Sequence, residues 1–135
     1  MKKYYFMFLI VFISGLLSCE KEEGEGGNST ITGKVYVYNY NVELSNLRWE
    51  DYAPDVDVFI IYGSDTVYSD NFKTNYDGSY RFRYLHQGTY TVFAYSKDLN
   101  NKNTNRTDLL IPVKITVEIS SDNQIVYVDD LVIIK

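Results

Sequence analysis

The chain has 135 residues, of which 13 are basic and 18 acidic, so its formal net charge is −5 at pH 7. This length suits one domain of ordinary size, and an acidic balance without a basic stripe excludes the phosphate neutralisation on which nucleic-acid binding depends. The single cysteine excludes an intrachain disulfide and a cysteine-rich metal site.

The first segment of the chain has the plan of a secretory signal peptide. Lys2 and Lys3 give a positively charged start, and an apolar stretch follows from Tyr4 to Leu17. With 14 residues, the stretch is shorter than the roughly 20 that cross a bilayer as a permanent helix. Residues 1–18 are therefore predicted to be removed on export.

A lipid attachment motif follows the apolar stretch. Leu16-Leu17-Ser18-Cys19 resembles the bacterial lipobox, in which the cysteine is lipidated before the leader is cleaved. Several acyl chains on one cysteine anchor a protein stably, because each buried methylene contributes roughly 0.8 kcal/mol. Lys21-Glu22-Glu23 resembles the charged signal that some Bacteroidetes lipoproteins carry for display on the cell surface. The two resemblances imply an outer-membrane lipoprotein, displayed on the surface and anchored through Cys19.

The segment after Cys19 predicts a flexible tether. Residues 20–28 contain four glutamates, three glycines and no apolar side chain. Such a segment gains nothing by burial, and its glycines raise the entropic cost of ordering it. We therefore expect a lipidated cysteine with an acidic, glycine-rich tether over residues 19–29 and a folded domain over residues 30–135.

The folded part predicts β-strands. From Ile31 onward, apolar side chains recur at every second residue, and no stretch keeps the three-and-four spacing of an amphipathic helix. Ile31, Val35 and Val37 fall on one face of the first strand, and Tyr36 and Tyr38 fall on the other. The same alternation predicts seven strands in all. They cover residues 31–38, 56–62, 66–74, 80–83, 90–95, 113–119 and 124–134.

Turn residues separate these strands. Gly63-Ser64-Asp65 predicts a hairpin into the third strand, and Asn75-Tyr76-Asp77-Gly78 predicts the next turn. A bulge at Asp129-Asp130 would return Leu131 and Ile133 to the core face of the last strand. Seven strands without a helix favour an antiparallel β-sandwich, although periodicity alone leaves a barrel open.

The segment from Thr74 to Ala94 carries a recognisable series: threonine, Asp-Gly, an aromatic residue two before Phe, then Leu, Gly and Tyr-x-Val-x-Ala. In this it resembles the carboxypeptidase regulatory-like domain, a transthyretin-like, seven-stranded Greek-key sandwich common in Bacteroidetes surface proteins. The opening Ile31-Thr32-Gly33-Lys34-Val35 resembles the first strand of that family. The resemblance implies the all-β fold and leaves the function open. The series falls on Thr74, Asp77, Gly78, Tyr80, Phe82, Leu85, Gly88, Tyr90, Val92 and Ala94.

The sequence does not predict catalysis. His86 is the only histidine and lies in a predicted turn, where an imidazole is usually solvated. Lys34 with Asp129 or Asp130 invites comparison with the Lys-to-Asp isopeptide bonds of Gram-positive pilus domains, but the middle strands supply no convincing helper acid. Because no nucleophile–base pair can be assembled, we expect a protein that is not an enzyme and uses no cofactor.

A metal site is not expected either. Three acids near the second predicted strand would offer oxygen ligands for calcium, but no Asp-x-Asp-x-Asp-Gly loop with a distal Glu surrounds them. These acids are better explained as solvated charges on the surface of the domain. The acids are Asp51, Asp55 and Asp57.

The connection over residues 39–53 is longer than the usual link of the family it resembles, and it carries Arg48, Trp49 and Tyr52. Exposed aromatic side chains on a loop stack on a sugar ring or anchor a protein partner. Alternatively, Trp49 folds back and caps one end of the sandwich. These three residues are the candidate site for a protein or glycan partner.

Aromatic residues also recur on the outward faces of the strands. Tyr36, Tyr38, Phe93 and Tyr95 form either an aromatic strip or ordinary cross-strand pairs. Asp65-Thr66-Val67 resembles the acceptor motif for protein O-glycosylation in Bacteroidetes, which makes Thr66 a candidate modification site.

Two functions fit these features. The first is a non-catalytic accessory module of the cell envelope, held in the membrane by its lipid, which presents loops or an edge strand to a protein or glycan partner. The second is a carbohydrate-binding surface lipoprotein that stacks Trp49 and Tyr52 on a sugar.

Overall fold

Strands make up most of the protein in the computed structural model, which describes residues 22–101 and 109–135. Within these ranges there are nine strands and one short 3-10 helix, Leu99–Asn101. No helix in this part of the chain is long and apolar enough to cross a membrane. The strands are β1 (Glu25–Tyr40), β2 (Leu47–Tyr52), β3 (Asp57–Tyr62), β4 (Asp70–Lys73), β5 (Ser79–Leu85), β6 (Gly88–Lys97), β7 (Leu110–Ile119), β8 (Ile125–Tyr127) and β9 (Leu131–Ile134).

The first sheet is built around β1, the longest strand. Its N-terminal half pairs with β5 on one side and with β8 on the other, and its C-terminal half pairs with β2 and with β9. β2 and β5 run antiparallel to β1, whereas β8 and β9 run parallel to it. The prediction of a purely antiparallel sandwich is therefore wrong for this sheet, because the chain crosses from β7 in the second sheet to β8 and enters beside β1 in the same direction.

The second sheet has the order β4-β3-β6-β7, and all its pairs are antiparallel. β6 is central and pairs with β7 over its whole length, from Gly88 opposite Ile119 to Lys97 opposite Leu110. The two sheets enclose one apolar core, so the prediction of an all-β sandwich is confirmed. The Greek-key connectivity stays a prediction.

The core contains the side chains that the two-residue alternation assigned to it. From β1, Ile31, Val35 and Val37 have no exposed surface, and Leu131 and Ile133 of β9 are equally buried. Residues 128–130 separate β8 from β9, so the strand is interrupted where a bulge was predicted, and Leu131 and Ile133 lie on the core face as expected. The other fully enclosed side chains, each with no exposed surface, are Val58, Ile60, Tyr80, Tyr90, Val92 and Ala94.

Two differences raise the strand count from the predicted seven to nine. The connection 39–53 contains β2, and the last predicted strand is divided into β8 and β9. All six side chains of β2 are exposed, so no buried face imposes an apolar alternation on its sequence.

The first strand begins within the segment predicted as a tether. β1 starts at Glu25, and the Gly24 N–H donates to the Tyr90 hydroxyl at 3.0 Å, while the Gly24 carbonyl accepts from the His86 N–H at 2.9 Å. Ser29 is buried, and its hydroxyl donates to the Ser121 carbonyl at 3.1 Å. Residues 24–29 are thus part of the domain, because buried polar groups there have partners. The predicted signal peptide and Cys19 lie outside the described residues.

The third predicted strand is shorter than expected. β4 begins at Asp70, and residues 63–69 form a loop in which Gly63 has a φ of 55°. Glycine takes this left-handed conformation without steric cost. The loop therefore turns at Gly63 and continues to the edge of the second sheet.

Candidate functional site

The three residues predicted to bind a partner all lie on β2 or at its bulge. Trp49 is opposite Asn39 and Tyr52 is opposite Tyr36, while Arg48 is the extra residue where the register with β1 shifts. Side chains alternate between the two faces of a strand, so Trp49 and Tyr52 lie on opposite faces of β2. The structure does not bring them together as one surface for stacking on a sugar.

Tyr52 is held within the protein. Its hydroxyl donates to the Asp130 carboxylate at 2.8 Å, and its ring meets the Tyr36 ring edge-to-face at 5.2 Å. The Lys34 ammonium lies 4.8 Å from the centre of the Tyr52 ring. The hydrogen bond to Asp130, followed by the charge of that carboxylate, raises the pKa of Tyr52. Tyr52 thus links β2 to the start of β9 across the outer face of the first sheet.

Trp49 is half-exposed, at 47%, on an edge strand whose other side has no partner strand among the described residues. It lies opposite Asn39, and a role as a cap of the sandwich stays a prediction. Tyr36 and Tyr38 also lie on the first sheet, whereas Phe93 and Tyr95 lie on the second. The outward aromatic residues therefore form two separate clusters and not one strip.

The larger cluster covers the outer face of the second sheet. Phe59 and Phe93 stack with their ring centres 5.1 Å apart, and Tyr95 meets Phe93 edge-to-face at 5.5 Å. Tyr68, from the loop 63–69, packs against Phe59 at 4.8 Å. Phe93 is buried at the bottom of the cluster, while Tyr68 and Tyr95 are about half exposed. Their rings therefore face solvent with a fixed aromatic floor beneath them.

A groove of about 260 Å³ runs between this loop and strands β6 and β7. We call it the aromatic groove. Lys114 lies at its edge, with its ammonium 5.9 Å from the centre of the Phe93 ring, which is within the range of a cation–π contact. The groove is lined chiefly by Thr66, Val67, Tyr68, Phe93, Tyr95 and Lys114.

The aromatic groove combines apolar and polar surface in about equal parts. Ligand sites are concave and mostly apolar, with a few polar groups that orient the ligand. Here the exposed rings of Tyr68 and Tyr95 supply apolar faces with hydroxyl tips, and Thr66 and Lys114 supply further polar groups. Thr66 is exposed in the loop, and its O-glycosylation stays a prediction.

Other candidate residues do not form the sites that were considered for them. Lys34 forms an ion pair with Asp77 at 3.8 Å, and within the described residues it forms no ion pair with Asp129 or Asp130, although its strand lies beside Asp130. His86 lies against Gly26, and its Nδ1 is buried without a hydrogen-bond partner among the described residues. Across residues 22–101 and 109–135, no three His, Cys, Asp or Glu side chains come together to hold a metal ion.

No family model and no curated protein matches the chain. A similar solved structure is that of a Pseudomonas aeruginosa protein for which carbohydrate binding has been suggested. The two proteins are 12% identical, the match covers 83% of this chain and 91% of the other, and the TM-score is 0.48. The resemblance to the carboxypeptidase regulatory-like domain therefore stays a prediction.

Proposed function

We propose that the protein is a non-catalytic, lipid-anchored binding module of the outer membrane and that a carbohydrate chain binds in its aromatic groove. The observation that carries this proposal is the exposed pair Tyr68 and Tyr95 above the stacked rings of Phe59 and Phe93. The anchor is the lipid expected on Cys19. The groove takes the place of the Trp49 and Tyr52 pair in the carbohydrate-binding hypothesis.

A sugar suits this groove because its two kinds of surface match those of the protein. A pyranose ring presents C–H groups on its faces and hydroxyls around its edge. The tyrosine rings offer an apolar face to the C–H groups of the sugar and a phenolic hydroxyl to its hydroxyl groups. The groove is smaller than the roughly 300–1,000 Å³ of sites that enclose a drug-sized molecule. Such a shape fits one part of a longer chain that continues into solvent.

The test is Tyr95→Ala in the purified full-length protein, assayed by calorimetry and affinity electrophoresis against a panel of neutral and acidic polysaccharides. We expect at least a tenfold loss of affinity for the bound polysaccharide, equivalent to about 1.4 kcal/mol. Tyr95 is 45% exposed and packs against both Phe59 and Phe93, so the free energy of unfolding should fall by about 1–3 kcal/mol, the usual contribution of two aromatic pairs.

The matched control is Tyr127→Ala. Tyr127 is 80% exposed on β8 in the other sheet, outside the aromatic groove. This variant should bind as the unmodified protein does. Absence of binding to every polysaccharide, or equal affinity of the Tyr95→Ala variant and the unmodified protein, would contradict the proposal.

A further inference from the structure

β2 is an edge strand with an open side. Among residues 22–101 and 109–135 it pairs only with β1, and all six of its side chains are exposed. Edge strands present backbone N–H and C=O groups that a strand from another chain can use. The part of the protein that the structure describes supplies no strand on that side. β2 therefore offers a surface for strand pairing that is independent of the aromatic groove.

The direction of the backbone groups follows from the pairing with β1. The Ala53 N–H donates to the Val35 carbonyl at 3.1 Å. Opposite residues in an antiparallel pair alternate between hydrogen-bonded and non-hydrogen-bonded positions. In the observed register, Trp49 and Asp51 therefore point their backbone groups towards β1, and Glu50 points its N–H and C=O to the open side.

We propose that two copies of this chain pair through their β2 strands, antiparallel, about a two-fold axis at Trp49. Homodimers commonly close about such an axis, which brings the same surface of each copy together. The axis is perpendicular to the sheet, so the outer face of one copy continues the outer face of the other. In such a dimer, directly opposite residues of the two β2 strands lie on the same face of the joined sheet. Each allowed register therefore sets one residue of β2 opposite the same residue of the other copy, and the axis passes between them.

Charge selects among these registers. Centring the pair on Trp49 brings Arg48 of each copy, the residue at the bulge, beside Glu50 of the other, which gives two pairs of unlike charge. Centring it on Arg48, Glu50 or Asp51 sets two like charges directly opposite each other, which is destabilising. Centring it on Leu47 or Tyr52 would pair β2 with its copy only at one end of the strand. In the favoured register, Glu50 uses its open backbone groups, and the two Trp49 residues form a non-hydrogen-bonded pair.

The exposure of Trp49 fits a place in this interface. It is the only tryptophan of the chain and is 47% exposed. Tryptophan and arginine are enriched at the energetic centres of protein interfaces. A six-residue strand pair buries less surface than the roughly 1,200 Å² of a standard interface, so we expect weak association in solution. Attachment to one membrane would raise the effective concentration of the two copies.

Disulfide crosslinking of the full chain in the cells that express it tests this pairing. Cα atoms of a non-hydrogen-bonded antiparallel pair lie about 4.5 Å apart, within the range that a disulfide spans. Trp49→Cys should therefore give a crosslinked dimer on mild oxidation, because the backbone groups of Glu50 and the charges of Arg48 and Glu50 still pair in this variant. Asp51→Cys, on the same face and equally exposed, should give at least fivefold less, because its two copies would be about 13 Å apart. The unmodified chain, whose only cysteine is Cys19, measures the background.

Charge reversal tests the register in the Trp49→Cys chain. Arg48→Glu and Glu50→Arg should each lower the dimer yield at least threefold, and the two changes together should restore it. Equal yields at positions 49 and 51, absence of a dimer at position 49, a higher yield from Glu50→Cys, or no recovery in the double reversal would overturn the proposal. Polysaccharide binding through the aromatic groove is measured separately, so failure of either proposal leaves the other intact.

Discussion

Gly27 is required by close packing, and Gly88 by its backbone conformation. A Cβ atom added at Gly27 would overlap with the Leu85 carbonyl oxygen, whereas Gly88 has a φ of 143° and lies beside the side chain of Glu23. Glycine is the residue that allows a backbone to approach another group so closely. These glycines therefore hold the first segment of the domain against the turn between β5 and β6.

Gly27→Val tests whether this contact stabilises the domain. The added side chain has no room beside Leu85, so we expect a loss of about 1–3 kcal/mol in the free energy of unfolding. Urea denaturation of the purified protein measures it. Asn28→Ala, at the next and exposed position, is the control and should change stability by about 0.5 kcal/mol or less. Equal stability of the two variants would show that the segment is a free tether.

The pKa of Tyr62 predicts how the stability of the domain depends on pH. Burial, followed by the charges of Glu25 and Asp70, raises the pKa of Tyr62 to about 12 from an ordinary value of 10.0. The folded state then holds this proton more tightly than the unfolded state does. The contribution of the Tyr62 hydroxyl to the free energy of unfolding is complete below pH 10 and is lost as the pH rises from about 10 to about 12.

The measurement is the free energy of unfolding at several pH values between 9 and 12, which span the two pKa values. The Tyr62→Phe variant keeps the ring but cannot ionise, so it should lose less stability over that interval than the unmodified protein. The other buried tyrosines are present in both proteins. Parallel curves would contradict the assignment.

The glycines also show what could not be predicted at the level of residues. Glu20 to Asn28 has the composition of a solvated linker, because glycine is typical both of mobile chain and of close backbone contacts. Contacts with Leu85 and Tyr90 show that this segment is packed and not a mobile linker. These two residues are about 60 positions away in the sequence. Composition alone therefore could not place the start of the domain.

At the level of elements, strands with a buried face were predictable and those without one were not. Val92 and Ala94 on β6 are buried, which agrees with the outward position predicted for Phe93 and Tyr95. β3 has apolar residues on both faces, so its sequence predicts a strand without deciding that Val58 and Ile60 face the core. β2 has no buried side chain, so its sequence carries no apolar period. Strand pairing with β1, which sequence periodicity does not report, makes it a strand.

The aromatic groove was predictable only in part. The alternation correctly set Phe93 and Tyr95 on an outward face, but it could not show that Tyr68 would lie above Phe59. Thr66 to Tyr68 fit a strand pattern equally well, because β-branched and aromatic residues are common in strands. The turn at Gly63 carries them into a loop instead, and this gives the groove one of its sides.

At the level of the whole molecule, the expected attachment to the membrane can be tested by mass. The protein extracted from native membranes should begin at Cys19 and carry the added mass of acyl chains, and Cys19→Ala should release it from the membrane fraction. Intact-mass spectrometry and fractionation make these measurements. A mature chain with an unmodified thiol at Cys19 would contradict the anchor, while leaving the fold and the aromatic groove unaffected.

The early start of β1 limits how far the domain can stand from such an anchor. Glu23 already contacts Gly63 and Gly88, so only four residue steps separate the domain from Cys19, a reach of at most about 14 Å. Phe93 lies five residues along β6 from Gly88, or about 17 Å further. In a lipidated protein of this kind, the short connection would keep the domain close to the membrane surface. Any polymer it holds would stay within a few nanometres of the bilayer, where integral membrane proteins can reach it.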